Sequence, residues 1–64
     1  MGKQEFIDRF VARMCKQAPF TTFDDGGTVI DYARETAPTY WDDPDQRAEG
    51  PEECADADIS YWGE

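Results

Sequence analysis

The sequence predicts an all-α fold: a small bundle of two helices, over about residues 3–17 and 28–41, with a third over about 51–62. Three observations predict it. Apolar residues recur at helical spacing in the first two segments. Pro19 and the run Asp24-Asp25-Gly26-Gly27 separate those segments with residues that end helices and form turns. Nine aromatic residues in 64 supply material for a core, where disordered chains are poor in such residues. The competing fold is α+β, with a hairpin over 20–32.

The first helix is the clearest. Phe6, Ile7, Phe10, Val11 and Met14 form one stripe at about 100° per residue. Glu5, Asp8, Arg9, Arg13 and Lys16 fall on the other side. Glu5 precedes Arg9 by four residues, the favourable order for a helical ion pair. Acids lie early and bases late, as the helix dipole prefers.

Residues 20–32 admit two readings. Phe20–Phe23 and Thr28–Tyr32 can be strands closed by an Asp-Gly turn. Alternatively, Thr28 caps a helix, with Asp31 three residues on as its capping-box partner. Phase favours the helix, because Val29, Ile30, Ala33, Ala37, Tyr40 and Trp41 fall within about 120° on a helical wheel. Pro38 removes one backbone donor and restricts Ala37, so a kink or break is expected there.

Residues 42–50, DDPDQRAEG, read as a polar, acidic linker. Pro51 then suits a first helical position, and Glu52 and Glu53 suit a first turn. Ala55, Ile59 and Trp62 make one face of that third helix, Cys54, Ala57 and Tyr61 another, with Asp58 between them. A loose tail over 51–64, pinned by Tyr61 and Trp62, is the other reading. All 64 residues are read as one small domain. A chain of this length buries only about 60% of its unfolded surface.

Charge divides the chain unequally. Residues 1–20 carry four bases against two acids, and residues 21–64 carry two bases against thirteen acids, within a net charge of −9. The bases of the first helix are expected to pair within it or with the acidic half. Direct nucleic-acid binding is disfavoured, since most of the chain would repel phosphate. Binding to anionic lipid is disfavoured for the same reason. No segment approaches the roughly 20 apolar residues that span a bilayer. The N-terminus lacks the apolar region of a secretory signal. A cytoplasmic protein is expected, with Cys15 and Cys54 as free thiols rather than a disulfide.

Chemistry is sparsely provided. The chain has no histidine and one serine, so neither cysteine has a base to activate it. Carboxylate pairs such as Asp24/Asp25 and Glu52/Glu53 would need a dry pocket to separate their pKa values, and they read as turn and helix-start acids. Asp42, Asp43 and Asp45 are hard ligands, but the EF-hand template fails: counting from Asp43, Arg47, Ala48 and Cys54 stand where it requires an acid or amide, a glycine and a glutamate. Two cysteines cannot furnish a zinc site alone. No enzyme activity, metal or cofactor is expected.

The remaining signal is the acidic surface. Between Asp42 and Asp58 lie Asp42, Asp43, Asp45, Glu49, Glu52, Glu53, Asp56 and Asp58, facing Arg47 alone. Such a surface can steer onto a basic groove and compete there with nucleic acid. Tyr61 and Trp62 are of the type enriched at interface hot spots. These ten residues are the candidate partner-binding set. In its length, negative charge and clustered Asp/Glu with aromatics, the chain resembles the small acidic proteins that bacteriophages encode to block host machinery, DNA-mimic and anti-CRISPR-type inhibitors among them. That resemblance implies inhibition by occupancy of a basic, nucleic-acid-binding protein surface. The alternative is a small structural or adaptor protein that docks through an apolar helix stripe.

Overall fold

The computed structural model describes residues 1–62, in four helices: α1 (Lys3–Gln17), α2 (Val29–Asp42), α3 (Pro44–Glu49) and α4 (Pro51–Ser60). The fold is all-α. Among the described residues the β structure amounts to one antiparallel bridge, Thr22 to Thr28.

Helix α1 has the expected bounds. Phe6, Phe10 and Met14 are fully buried, while Ile7 and Val11 lie half-buried at the edge of the stripe. The i, i+4, i+8 line is thus the core line, and the i+1 line is its border. The Ala18 N–H donates to the Met14 carbonyl at 2.8 Å. Pro19 cannot prolong the ladder.

Between α1 and α2 the helical reading prevails, with a remnant of the hairpin. The Phe23 N–H donates to the Gly27 carbonyl at 2.7 Å, and the Val29 N–H to Thr21 at 3.0 Å. Gly26 has φ +92°, which glycine adopts without the Cβ clash other residues meet. Asp25 Oδ1 accepts the Gly27 N–H at 2.9 Å. The ladder stops at Thr28, whose Oγ1 accepts the Asp31 N–H at 3.2 Å and caps α2. From Tyr32 onward, whose N–H donates to the Thr28 carbonyl at 3.0 Å, the backbone donors belong to the helix.

Pro38 does not break α2, which runs without interruption from Val29 to Asp42. Proline in a helix interior costs about 3 kcal/mol, partly through the lost donor to the carbonyl four residues back. That carbonyl is at Arg34, an exposed position open to water. Packing beyond the proline offsets the cost. Ala37 is fully buried, Tyr40 meets Phe10 at 5.4 Å between ring centroids, and Trp41 meets Phe6 edge-on at 5.5 Å.

The segment expected as a linker holds a helix. Asp43 Oδ1 accepts the Asp45 and Gln46 N–H groups at 3.0 and 3.4 Å, and Pro44 takes the first helical position. Gly50, at φ +98°, ends α3 and begins α4. Asp-Pro reads as turn chemistry, but it is equally an N-cap followed by a first-turn proline. Helix α3 buries no residue, so no apolar period marks it.

Helix α4 starts at Pro51 as expected and ends at Ser60, with the Trp62 N–H closing the last turn onto Ile59 at 2.9 Å. Pro51, Cys54 and Ala55 are buried, so this helix is seated in the core. Of the tail expected over 51–64, the last two residues lie outside the described range.

Helix α1 is central and packs against both α2 and α4. Its large side chains Phe6, Phe10 and Met14 fill the space left by small ones, Ala33 and Ala37 of α2 and Cys54 and Ala55 of α4. Burying each large side chain contributes roughly 1.5–3 kcal/mol. Helices α2 and α4 meet chiefly through long side chains, and that gap positions the features described next.

Candidate acidic interaction surface

The acids of α4 divide into an internal and an external set. Arg9 and Arg13, one turn apart on α1, face Glu52 and Asp56, one turn apart on α4. Arg9 donates from Nε to Glu52 Oε2 at 2.9 Å and from Nη2 to Oε1 at 3.0 Å. Arg13 donates from Nε to Asp56 Oδ1 at 2.9 Å and from Nη2 to Oδ2 at 2.8 Å. Both pairs are bidentate, the geometry that matches the guanidinium fork to a carboxylate. Glu5 adds a third contact to Arg9 at 3.4 Å. Hydrogen bonds from the two arginines hold Glu52 and Asp56 below their ordinary carboxylate values. The bases of the N-terminal helix thus dock the acidic C-terminal helix, the pairing expected from the charge asymmetry.

Asp58 has a different role from its neighbours. It lies half-buried between α2 and α4. Its Oδ2 accepts the Tyr32 hydroxyl at 2.7 Å and the Trp62 indole N–H at 3.3 Å, and its Oδ1 accepts the Tyr40 hydroxyl at 2.8 Å. Burial first, and then the Asp58 carboxylate, push both tyrosine hydroxyls above their ordinary pKa. Three donors converge on one carboxylate. The sequence holds a signal for this: Asp58 follows Cys54 by four residues and Ala55 by three, so it sits in the apolar phase of α4.

Asp42, Asp43, Asp45, Glu49 and Glu53 are exposed. Asp43 also serves as the α3 cap. The Cys54 thiol is buried and donates to the Gln46 carbonyl at 3.1 Å. Burial, then the charges of Glu49, Glu53 and Asp43, push this thiol up to about 11. Arg47, the base within this stretch, lies with its guanidinium carbon 4.9 Å from the centroid of the Trp41 ring. The indole face takes that cation by a cation–π contact.

Tyr61 is 73% exposed, whereas Trp62 is half-buried among Phe20, Phe23 and Tyr32. The two aromatics expected as one contact pair thus have different surroundings. Of the ten candidate residues, Glu52, Asp56, Asp58 and Trp62 pair with other side chains of the molecule, Asp43 caps α3, and the other five are exposed without a side-chain hydrogen bond among the described residues.

Both cysteines are free thiols, Cys15 exposed and Cys54 buried. Among the described residues, no group of three or more Cys, Asp or Glu side chains is placed to hold a metal ion. No helix among them is long and apolar enough to cross a membrane. No protein-family model, curated protein or solved structure matches this chain, so its geometry and chemistry alone carry the functional reading.

Proposed function

We propose that this chain is a non-enzymatic, cytoplasmic binding protein that presents fixed carboxylates to a basic surface of a protein partner. The partner surface is of the kind that otherwise holds nucleic acid, and the outcome is inhibition by occupancy, as in the phage-encoded DNA-mimic and anti-CRISPR-type inhibitors that the composition resembles. One observation carries the reading. The bidentate pairs on Arg9 and Arg13 take up Glu52 and Asp56, and Asp42, Asp43, Asp45, Glu49 and Glu53 stay exposed around a short helix with Arg47 laid on Trp41. Acids on a fixed scaffold lose less freedom on binding than acids on a loose tail.

The adaptor reading receives less support, since Phe6, Phe10 and Met14 of the α1 stripe are already buried within the molecule.

Affinity capture from a cell lysate at low and at high salt, with mass spectrometry of the eluates, tests the proposal. The expected partner is a nucleic-acid-binding protein, released as salt rises and displaced by duplex DNA. A variant with Asp42→Asn, Asp45→Asn, Glu49→Gln and Glu53→Gln should bind it more weakly with helicity unchanged. Salt-insensitive capture, or a partner that holds the chain and duplex DNA at once, refutes occupancy.

A further inference from the structure

The turn between α1 and α2 builds an aromatic platform. The Phe23 ring lies at its centre, with centroids 5.2 Å from Phe20, 5.4 Å from Tyr32 and 5.3 Å from Trp62. Phe20 stacks on Trp62 at 5.6 Å and is still 39% exposed. These four residues line three adjoining shallow depressions, and Phe23 contributes to all three. Their rim is acidic: Asp24 and Asp25 come from the turn, and Asp31 and Glu35 stand one helical turn apart on α2. No lysine or arginine lines any of the three. Arg34 lies elsewhere, in a hollow with Gln4, Ile7, Asp8 and Val11.

We infer that this acid-rimmed aromatic face receives an arginine side chain of the protein partner. The inference rests on the proposed function and gives it a specific point of contact, outside the 42–58 segment. Charge selects the occupant. An apolar side chain would leave the carboxylates unanswered, and phosphate would be repelled by them. A second copy of this chain would bring its own net charge of −9 to an acidic rim. Arginine satisfies both features, because its planar guanidinium stacks on a ring while its N–H fork reaches a carboxylate. The molecule makes the stacking half of this contact within itself, where Arg47 covers Trp41 at 4.9 Å. Lysine, a compact and strongly hydrated cation, gains less from the rings.

The test is a titration of the ¹⁵N-labelled chain at low salt with a nona-arginine peptide, and in parallel with nona-lysine, following backbone amide shifts. The largest shifts are expected within residues 23–35. Nona-arginine should bind about threefold or more tighter than nona-lysine. Changing Asp24, Asp25 and Asp31 to Asn and Glu35 to Gln should weaken binding about tenfold while amides outside that segment keep their positions. The variant neutralised at Asp42, Asp45, Glu49 and Glu53 should lose distinctly less, about threefold, by general electrostatic attraction alone. Shifts centred on 42–53, equal losses in the two variants, or equal affinity for the two peptides overturns this inference and leaves the acidic-surface reading standing. No binding of either peptide at low salt removes both.

Discussion

Helix α4 is held by two seams of opposite character. Toward α1 it offers Glu52 and Asp56 to Arg9 and Arg13, side chains between 33% and 47% exposed. Toward α2 it offers one half-buried carboxylate, Asp58, to the Tyr32 and Tyr40 hydroxyls, and the indole N–H of Trp62, four residues on in the chain, completes the set. The first seam has more formal charge, yet its charges compete with water and are screened by salt. The second has a single charge with three donors, in surroundings where an unmet polar group is costly. Burial and the number of converging partners, rather than the count of ions, decide which seam holds the helix. The acidity of the C-terminal half is conspicuous on the surface, but by this argument it stabilises the fold most at Asp58, where one half-buried carboxylate meets three donors.

The comparison breaks most directly at Asp58. Asp58→Ala leaves three donors without their acceptor and is expected to cost about 3 kcal/mol in urea denaturation. That is a large share of what so short a chain holds. Asp58→Asn keeps one acceptor oxygen and should lose about half as much. Tyr40→Phe and Tyr32→Phe should each cost roughly 1–1.5 kcal/mol. A double-mutant cycle of Tyr40→Phe with Asp58→Ala should give a clear coupling energy. A loss below about 0.5 kcal/mol for Asp58→Ala would mean that water satisfies the donors, and the two seams would then be alike.

The difference between the seams also explains what could be read beforehand. Phe6, Ile7, Phe10, Val11 and Met14 repeat at a spacing that a helix keeps on one face and a strand does not, so α1 is legible to the residue. Thr28 and Pro51 carry their helix-start roles in their own chemistry. The charge asymmetry announces that Arg9 and Arg13 have acids to meet. Helix α3 is illegible by the same measure, since its six residues bury nothing and its cap reads as a turn. Continuity through Pro38 is illegible too, because the packing of Tyr40 and Trp41 on α1 is a tertiary fact. In the candidate site, composition cannot separate an acid facing solvent from one facing Tyr32 and Tyr40. Asp24, Asp25, Asp31 and Glu35 are illegible as a group, because their shared rim exists only once the turn lies beside α2.

High pH sharpens the comparison from the buried side. Tyr32, Tyr40 and Cys54 are neutral when protonated, and each holds its proton more tightly folded than unfolded. The unfolded chain therefore releases these protons first, and stability falls as pH rises. For Cys54 the window runs from 9.0 to about 11, and the tyrosines join above 10.0. Melting temperature should show no contribution from these groups below pH 9 and should decline above it. Cys54→Ala should remove the first part of the decline, and Tyr40→Phe should shallow the part above pH 10. A melting temperature unchanged to pH 11 would contradict the burial assigned to all three.

The smallest expected effect belongs to the exposed seam, and net charge complicates its measurement. Salt screens the mutual repulsion of a chain at −9, which stabilises it, while weakening the attraction of Arg13 for Asp56. A double-mutant cycle separates the two, because the net-charge contribution largely cancels and the pair term remains. The coupling between Arg13→Ala and Asp56→Ala should be small at low ionic strength. It should fade in about 1 M salt, where the screening length is ~3 Å. It should also fade at low pH: Asp56 is held below its ordinary value of 3.8 by the Arg13 hydrogen bonds, so its stabilisation is present above that value and lost as pH falls through the folded one. The Tyr40–Asp58 coupling should keep its size across the same salt range, since neither hydroxyl bears a charge to screen. If the Arg13–Asp56 coupling proves the larger, or survives 1 M salt, the bidentate geometry outweighs exposure, and the seam that holds α4 is the one on the surface.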